Sequence, residues 1–502
     1  MEKLTTTREE NNTIDQTSSG EPFFESKLKQ AFGPYLVRKE LVQAHEMARL
    51  PRFISEYLIA KFYPQSGDPP TQEEIRKLQN FVTIHFPEMR DKDKILHDIM
   101  TKGSYTLMDE FKVETDIKGA RHRLVIPCLN IRDAKILPTI LDENTDLLRS
   151  GMWGVAALKY VPEADQIMGM SGASSTPILM TKFTPFEVVN VKLEEFSAKR
   201  QLFTRSEWID FLVKSVGLNP AAYDKDQKLL ILLRLVPLVE SNCNMLELGP
   251  KATGKTYLYR NISYSTRLIS GGRVSPANLF YNIATKTVGE IGARDCVVLD
   301  EIGKLVFLNS EETIGKLKDY MVDGFFERGP KKAQARASLV FMGNLELASS
   351  GLPSTAEVVG ALPIFMRDSA LLDRIHSFIP GWMLPKIMQS SNHLASGYGI
   401  VVDYLSEVFH QLSLEASYSE VIWKRVEFEE ASGVTIRDEK AIRKVASGIL
   451  KLLRPERENC DEEDLALAMK IAVESRQRVN SLLSFVSPQE FSREKKISFT
   501  IL

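Results

Sequence analysis

The sequence is poor in cysteine and contains no long hydrophobic run, and both absences exclude classes of protein. Its four cysteines lie far apart and form no C-x-x-C pair, which argues against a zinc site or a disulfide framework. No apolar run approaches the ~18 residues of a membrane span, and the polar, acidic N-terminus lacks the apolar core of a signal peptide. We therefore expect a cytoplasmic protein without a membrane partner. The cysteines are Cys128, Cys243, Cys296 and Cys460.

Neither positive nor negative charge is in excess. The 502 residues include 64 Lys and Arg against 66 Asp and Glu, which gives a net charge of -2. A nucleic-acid site would therefore have to be a local patch, because the chain as a whole is not a polycation. Hydrophobic residues make up 43% and charged residues 26% of the chain. This composition is typical of globular protein, and the length suggests two to four domains of about 150 residues each.

One glycine-rich segment carries a chemical pattern. Residues 249–256 read G-x-x-x-x-G-K-T, the phosphate-binding P-loop, between an apolar strand-like stretch and a helical stretch. Its glycines let backbone N–H groups approach the phosphates of ATP. Lys255 is expected to pair with the β- and γ-phosphates, and Thr256 to ligate Mg²⁺. The candidate ATP-binding residues are Gly249, Pro250, Lys251, Ala252, Thr253, Gly254, Lys255 and Thr256.

Two carboxylates end the next strand-like segment. Residues 295–301 are mainly apolar until Asp300 and Glu301. Asp300 is predicted to hold Mg²⁺ through water, and Glu301 to polarise the attacking water as general base. Between the P-loop and this segment we predict a strand at 267–270 and a helix at 276–285.

Three further residues fit roles in ATP hydrolysis. Asn344 ends a third apolar strand at 338–344 and is predicted to orient the lytic water. Arg374 ends an L-L-D-R unit that matches an arginine finger, which would reach the γ-phosphate of a neighbouring subunit. Arg443 lies in a later helical region and is the candidate for a second phosphate-sensing arginine. The alternatives are Arg367 for the finger, and Arg437 and Lys444 for the sensor.

These motifs together predict an α/β fold, an AAA+ P-loop ATPase core with an α-helical lid. The strand-like segments before the core favour a small OB-like barrel. Its cations and aromatic rings make it a candidate DNA-binding domain, with a solvated sheet face as the alternative. The predicted regions are a disordered tail (1–22), an N-terminal helical region (23–103), a β-rich domain (104–195), the ATPase core (196–395), the lid (396–490) and a C-terminal tail (491–502).

Basic residues near the core indicate whether the ATPase acts on protein or on DNA. Protein unfoldases usually place an aromatic grip after the second core strand, but residues 270–275 are glycine-rich and basic, without an aromatic residue. Residues 325–336 precede the third core strand, where MCM-type ATPases place a channel hairpin. Their cations would contact phosphates, although an exposed solvated loop is the alternative. The DNA-contact candidates are Arg273, Arg328, Lys331, Lys332 and Arg336.

Several segments carry a family resemblance. They include R-L-P-R-F-I-S-E-Y-L at 49–58 and F-T-R-S-E-W-I-D-F-L at 203–212, with shorter matches at 102–106, 236–240, 246–250 and 269–272. On these residues the chain resembles the BrxL family, Lon-related proteins of bacterial BREX phage-defence systems whose AAA+ core is similar to that of MCM helicases. The resemblance implies assembly into a homo-oligomeric ring, a hexamer or heptamer or a stacked double ring. It also implies DNA binding and a role in restricting phage with other BREX components.

Two other functions stay open at this point. The chain could be an ATP-driven protein remodeller or Lon-related protease component, in which Phe325 and Phe326 grip the substrate. However, family members usually continue into a domain similar to Lon protease, whereas this chain ends at Leu502 without a recognisable Ser–Lys pair. Protease activity is therefore not expected of it. The other alternative is a DNA-binding scaffold that ATP regulates with marginal turnover.

Overall fold

The computed structural model describes residues 20–502 except for 44–46, 48–49, 64–69, 117–120, 149–150, 163–175, 187–190, 264, 348–351, 389, 430–432, 457–459 and 492–495. Most of the predicted disordered tail, residues 1–19, lies outside the described residues. Residues 20–22 were assigned to that tail but begin the first helix. In the described part of the chain, no helix is both long and apolar enough to cross a membrane.

The first described region is mainly helical, as its apolar spacing predicts. A capping box between Thr71 and Glu74 starts one helix, and left-handed Gly103 ends another. A short strand in this region pairs antiparallel with Tyr398–Ile400, so the region packs against residues far along the chain. The elements are α1 (Gly20–Phe32), β1 (Leu36–Arg38), α2 (Arg52–Phe62), α3 (Gln72–His85) and α4 (Lys92–Lys102).

Five strands then form a closed barrel, in the order β2-β3-β4-β6-β5. They are β2 (Ser104–Asp116), β3 (Arg121–Ile126), β4 (Ile131–Ile136), β5 (Met152–Tyr160) and β6 (Ile178–Pro185), with α5 (Pro138–Glu143) after β4. Inward-facing apolar side chains such as Leu107, Phe111 and Leu124 fill the barrel. Strand β4 was not predicted, because the charges in its sequence I-R-D-A-K-I obscure the apolar alternation.

A five-stranded parallel sheet forms the centre of the remaining chain. Its order is β15-β7-β14-β11-β8, and alternate side chains enter two hydrophobic clusters on opposite faces. Met245 and Val298 belong to one cluster, and Leu246 and Leu299 to the other. Burial on both faces explains why the inner strands of this sheet contain apolar runs, whereas the edge strand Thr266–Val274 is mostly not buried. The strands are β7 (Met245–Gly249), β8 (Thr266–Val274), β11 (Cys296–Phe307), β14 (Ser338–Asn344) and β15 (Ser377–Pro380).

Helices connect these strands and cover the sheet. They are α6 (Leu193–Arg200), α7 (Arg205–Ser215), α8 (Lys225–Val239), α9 (Lys255–Asn261), α10 (Pro276–Leu279), α11 (Glu290–Ala293), α12 (Ser310–Asp323), α13 (Thr355–Ala361), α14 (Ser369–Leu372) and α15 (Ser390–His393). The predicted helix at 276–285 is wrong beyond Leu279. The chain instead forms an antiparallel hairpin of β9 (Tyr281–Asn282) and β10 (Thr287–Val288). The Asn282 side chain accepts hydrogen bonds from the N–H groups of Ala284 and Thr285, which favours a turn over a helix.

A second hairpin and a helical region complete the fold. The hairpin consists of β12 (Phe325–Arg328) and β13 (Lys331–Gln334). The helical region contains β16 (Tyr398–Ile400), α16 (Val402–Leu414), α17 (Ser417–Arg425), β17 (Val426–Phe428), α18 (Ile436–Leu453) and α19 (Glu462–Val486). Residues 491–502 were predicted as a tail, yet β18 (Phe499–Ile501) pairs antiparallel with β17.

Candidate nucleotide-binding site

The P-loop connects buried strand β7 to helix α9. Ala252 and Gly254 both have positive φ, 66° and 80°, and α9 begins directly afterwards at Lys255. Gly249 has no room for a side chain, because a Cβ atom there would lie 2.6 Å from the backbone carbon of Gly381. The turn therefore depends on close backbone approach at its start and on left-handed geometry at its end.

Two reactive side chains of the P-loop are held by hydrogen bonds. The Lys255 Nζ atom donates to the carbonyls of Gly249, at 2.8 Å, and Pro250, at 2.7 Å. Burial lowers the pKa of this ammonium group. The Thr256 hydroxyl donates to Asp300 Oδ2 at 2.7 Å. The structure thus brings together the two predicted Mg²⁺ ligands, one from helix α9 and one from strand β11.

The donor set fits Mg²⁺ bound together with a phosphate group. Among the described residues, no cluster of three or more His, Cys, Asp or Glu side chains could hold a metal ion by itself. Mg²⁺ commonly uses one or two protein ligands and takes the remainder from substrate phosphates and water. One hydroxyl and one carboxylate next to a P-loop match that preference.

Two more predicted residues lie at the same edge of the sheet. Glu301 follows Asp300 with a φ of 50°, in the left-handed region, and the pairing of β11 with β8 shifts register just beyond it. Such backbone geometry is costly for a non-glycine residue and often marks a functional position. Its carboxylate accepts a hydrogen bond from Lys304 at 3.1 Å. Asn344 ends β14 beside Gly249 of β7, and its side chain is exposed.

These residues line one open cavity of about 490 Å³, a size that suits a small-molecule ligand. Lys255, Thr256, Asp300, Glu301 and Asn344 make one part of its lining polar. The other part was not predicted from the sequence and includes Tyr257, Ile387 and Leu394. Ile387 and Leu394 are more than a hundred positions from the P-loop, so no local pattern could have assigned them to the site.

A buried ion pair between α8 and β7 also contacts the P-loop. Arg234 of α8 contacts Glu247 of β7 through Nε at 3.1 Å and Nη2 at 2.5 Å, and both side chains are at most 1% exposed. The remaining terminal nitrogen donates to the carbonyl of Thr253 within the loop, at 3.0 Å. A glutamate inside the apolar strand M-L-E-L-G is a sequence signal for such a pair, because buried carboxylates are rarely unpaired.

The predicted arginines do not lie in this cavity. Arg374 and Arg443 line a second cavity of about 530 Å³ that shares no lining residue with the first. Burial and the nearby charge of Arg437 lower the pKa of Arg374, and its Nε atom is buried without a hydrogen-bond partner in the described structure. The alternative finger, Arg367, donates to the carbonyls of Leu362 and Gly360, each at 2.9 Å.

Arg443 is held by its own surroundings. Its guanidinium donates to the carbonyls of Ile422 and Val426, pairs with Glu439 and stacks 3.9 Å from the ring centre of Trp423. Because these contacts occupy its donors, the geometry favours the alternative sensor, Arg437. The Arg437 side chain is 58% exposed in the same cavity and pairs with Asp373.

Comparison with known proteins assigns the family. The sequence model described as "Lon-like protease BrxL-like, ATPase domain" matches residues 178–497, which is more than half of the chain. The model described as "BREX system Lon protease-like protein BrxL N-terminal" matches residues 30–160.

The chain belongs to the BrxL family.

Two relatives, both named "Lon-like protease BrxL", illustrate the match. The chain is 31% identical over 465 residues to the protein of Escherichia coli O9:H4 (strain HS), which covers 92% of this chain and 65% of that protein. It is 32% identical over 467 residues to the protein of Bacillus cereus (strain H3081.97), covering 93% of this chain and 67% of that one. The chain therefore spans about two thirds of the length of these BrxL relatives.

In this BrxL-family chain the predicted DNA contacts have different environments. Lys331 and Lys332 are exposed on the second hairpin, and Arg273 is exposed on β8. Arg328 instead pairs with Glu312 at 3.1 Å and donates to the carbonyl of Tyr281, which joins the two hairpins. The Arg328 guanidinium is therefore engaged in contacts within the protein and is not available to bind a DNA phosphate. Arg336 is exposed but follows β13, at the base of the hairpin.

Proposed function

We propose that this chain is an AAA+ ATPase that assembles into a ring and acts on DNA in BREX-type phage defence. The separation of the two cavities carries this proposal. The P-loop, Asp300 and Glu301 line one cavity, whereas Arg374 and Arg437 line the other. Arginine fingers stabilise the charge of phosphoryl transfer and are often supplied by another subunit. A second copy of the chain would bring its arginines to the nucleotide of the first.

The residues of the first cavity fit distinct roles in ATP hydrolysis. Lys255 would exchange its two carbonyl partners for β- and γ-phosphate oxygens. Thr256 and Asp300 would hold Mg²⁺, which neutralises phosphate charge when it is bound. Glu301 would accept a proton from the attacking water, and Asn344 would orient that water. The apolar part of the cavity would receive the base and sugar.

The topology supports the finer assignment to the AAA+ class. The P-loop strand β7 lies between β15 and β14, and the strand bearing Asp300 lies between β14 and β8. This parallel order is typical of AAA+ ATPases. Helices α16 to α19 would form the lid, and the five-stranded closed barrel matches an OB-like domain in strand number. A hexamer or heptamer, alone or as a stacked double ring, is the assembly that we propose.

The exposed cations favour DNA as the substrate. Lys331 and Lys332 project from one hairpin, and the structure adds Lys286, which lies between β9 and β10 with a φ of 57°. Exposed lysines of this kind can bind phosphates without regard to sequence. Of the two phenylalanines considered for gripping protein, Phe326 is buried at 3% exposure and only Phe325 is exposed, at 43%. This arrangement weakens the case for a protein remodeller.

Hydrolysis, assembly and DNA binding can be tested with the full chain and its Glu301→Gln variant. We expect DNA-stimulated ATP hydrolysis by the wild type, and a rate reduced about 100-fold or more in the variant, which should still bind ATP and assemble. Light scattering reports the assembly, and fluorescence anisotropy with single- and double-stranded DNA reports binding. Absence of both stimulation and salt-dependent DNA binding would reject the proposal. Normal phage restriction by Glu301→Gln would favour a scaffold that does not need hydrolysis.

A further inference from the structure

A buried charge network leads from the N-terminal region to the nucleotide cavity. Lys39 follows β1, and its Nζ atom lies 2.9 Å from both carboxylate oxygens of Glu56 in α2. Both side chains are fully buried. Arg52, one helical turn before Glu56, contacts the same carboxylate through Nε at 2.7 Å. The carboxylate also accepts a hydrogen bond from the N–H group of Val402 at 2.8 Å.

The far end of this network reaches the P-loop helix. A terminal nitrogen of Arg52 donates to the hydroxyl of Tyr257. Tyr257 follows Thr256 directly in α9 and is one of the residues that line the nucleotide cavity. The Arg52 side chain is only 5% exposed. Its hydrogen bond to Tyr257 is therefore shielded from water, unlike the weak contacts that charged side chains make at a protein surface.

The space around Arg52 is shaped for its guanidinium group. Gly217 has a φ of 91°, and a Cβ atom there would lie between 2.1 and 2.6 Å from the guanidinium atoms. The other terminal nitrogen, Nη2, is buried with no hydrogen-bond partner in the described part of the chain. Burial lowers the pKa of Arg52, but Glu56 and Tyr257 outweigh this effect and raise it overall. Arg52 therefore stays a cation in a fixed orientation.

We propose that Arg52 is a positioning residue for the nucleotide, because it fixes Tyr257 as one wall of the cavity. The inference rests on the proposed binding of ATP at the P-loop. Tyr257, Ile387 and Leu394 form the apolar part of the lining, so Tyr257 would face the base and sugar, not the phosphates. The N-terminal part of the chain would thereby contribute to a site whose other named residues all belong to the ATPase region.

Tyr257→Phe and Arg52→Met test the proposal. Tyr257→Phe removes one oxygen atom, and Arg52→Met leaves Glu56 paired with Lys39. We expect each variant to raise the KM for ATP about threefold to tenfold while kcat changes less than twofold, since ground-state binding is affected more than the reaction. The double variant should be no worse than the worse single variant, because both remove the same contact. Titration with a fluorescent ATP analogue should give the same ratios for Kd.

Arg200→Met is the matched control. Arg200 is also a buried arginine, and its guanidinium donates to the carbonyls of Leu453 and Phe203, away from the cavity. Its loss should lower the melting temperature without changing KM. The inference is overturned if Arg52→Met likewise lowers only the melting temperature, or if Tyr257→Phe binds ATP like the wild type. Failure of the wild type itself to bind ATP would instead reject the proposed function.

Discussion

Replacement of Arg234 by Met should both destabilise the protein and weaken ATP binding. The substitution removes two contacts to Glu247 and one to the Thr253 carbonyl. Glu247 is then left as an uncompensated carboxylate at 0% exposure. Loss of one partner of a buried ion pair typically costs about 3–5 kcal/mol. The single variant therefore cannot separate a folding defect from a binding defect.

A double replacement separates the two effects. Arg234→Met with Glu247→Leu removes both charges, and such apolar replacements of buried ion pairs are often neutral for stability. The bond to the Thr253 carbonyl stays absent in this double variant. A hydrogen bond from a charged donor contributes about 1.5 kcal/mol or more, which corresponds to about tenfold in affinity. We therefore expect near-normal stability and a Kd for ATP that is about tenfold higher.

Two measurements on the same samples check this expectation. Chemical denaturation followed by fluorescence gives the unfolding midpoint of each variant, and titration with a fluorescent ATP analogue gives Kd. Arg234→Lys is the control, because it keeps a cation for Glu247 but cannot make all three contacts. The reasoning is refuted if the double variant regains stability and binds ATP as tightly as the wild type. In that case the contact to Thr253 does not hold the loop in its binding conformation.

Three other predictions concern the arginine cavity, the basic hairpin and an ion pair. The Arg374→Ala variant should bind ATP but hydrolyse it about 10³-fold more slowly. Mixing this variant with a P-loop variant should restore some ATP hydrolysis. No restoration would argue against an arginine that acts between subunits. The double variant Lys331→Ala, Lys332→Ala should bind all DNA sequences more weakly, and the slope of log K against log salt concentration should fall in magnitude by about 2. An unchanged slope in anisotropy titrations would contradict this. His410 Nδ1 donates a hydrogen bond to Asp295 Oδ2 at 2.8 Å, and this bond raises the pKa of His410 above its usual value of 6.5. The pair's stabilisation is thus fully present below pH 6.5, while Asp295 stays ionised, and is lost as the pH rises through the raised pKa. His410→Gln should lower the melting temperature by about 1 °C at pH 6 and less at pH 8.5, whereas equal losses would refute the assignment.

The sequence predicted those features that depend on short stretches of chain. The P-loop is contiguous, so its strand, turn and helix could be recognised without any knowledge of distant residues. Asp300, Glu301 and Asn344 could be placed near it because parallel strands bring their carboxyl ends to one edge of a sheet. The helical character of residues 23–103 and 396–490 was likewise evident from apolar spacing.

Segments in which local preferences compete differ from what their sequence predicts. Residues 276–285 contain enough apolar positions for a helix, but the side chain of Asn282 stabilises a turn and the chain forms a hairpin. The charges in β4 concealed a strand whose remaining side chains fill the barrel. Both errors arose because tertiary packing and side-chain hydrogen bonds outweigh average propensity.

Only the tertiary structure determined which charged groups are available and which are engaged. Arg328, Arg443 and Lys331 are all basic residues in promising segments, yet two of the three are held by carboxylates and backbone carbonyls. The tertiary structure also joins Arg52 to Tyr257 by a buried hydrogen bond, although the two residues are 205 positions apart in the sequence. The sequence by itself determined the chemistry of the nucleotide loop, since that chemistry is encoded in adjacent residues. The packing of distant segments decided what supports the loop, because burial and hydrogen-bond partners are properties of the folded chain.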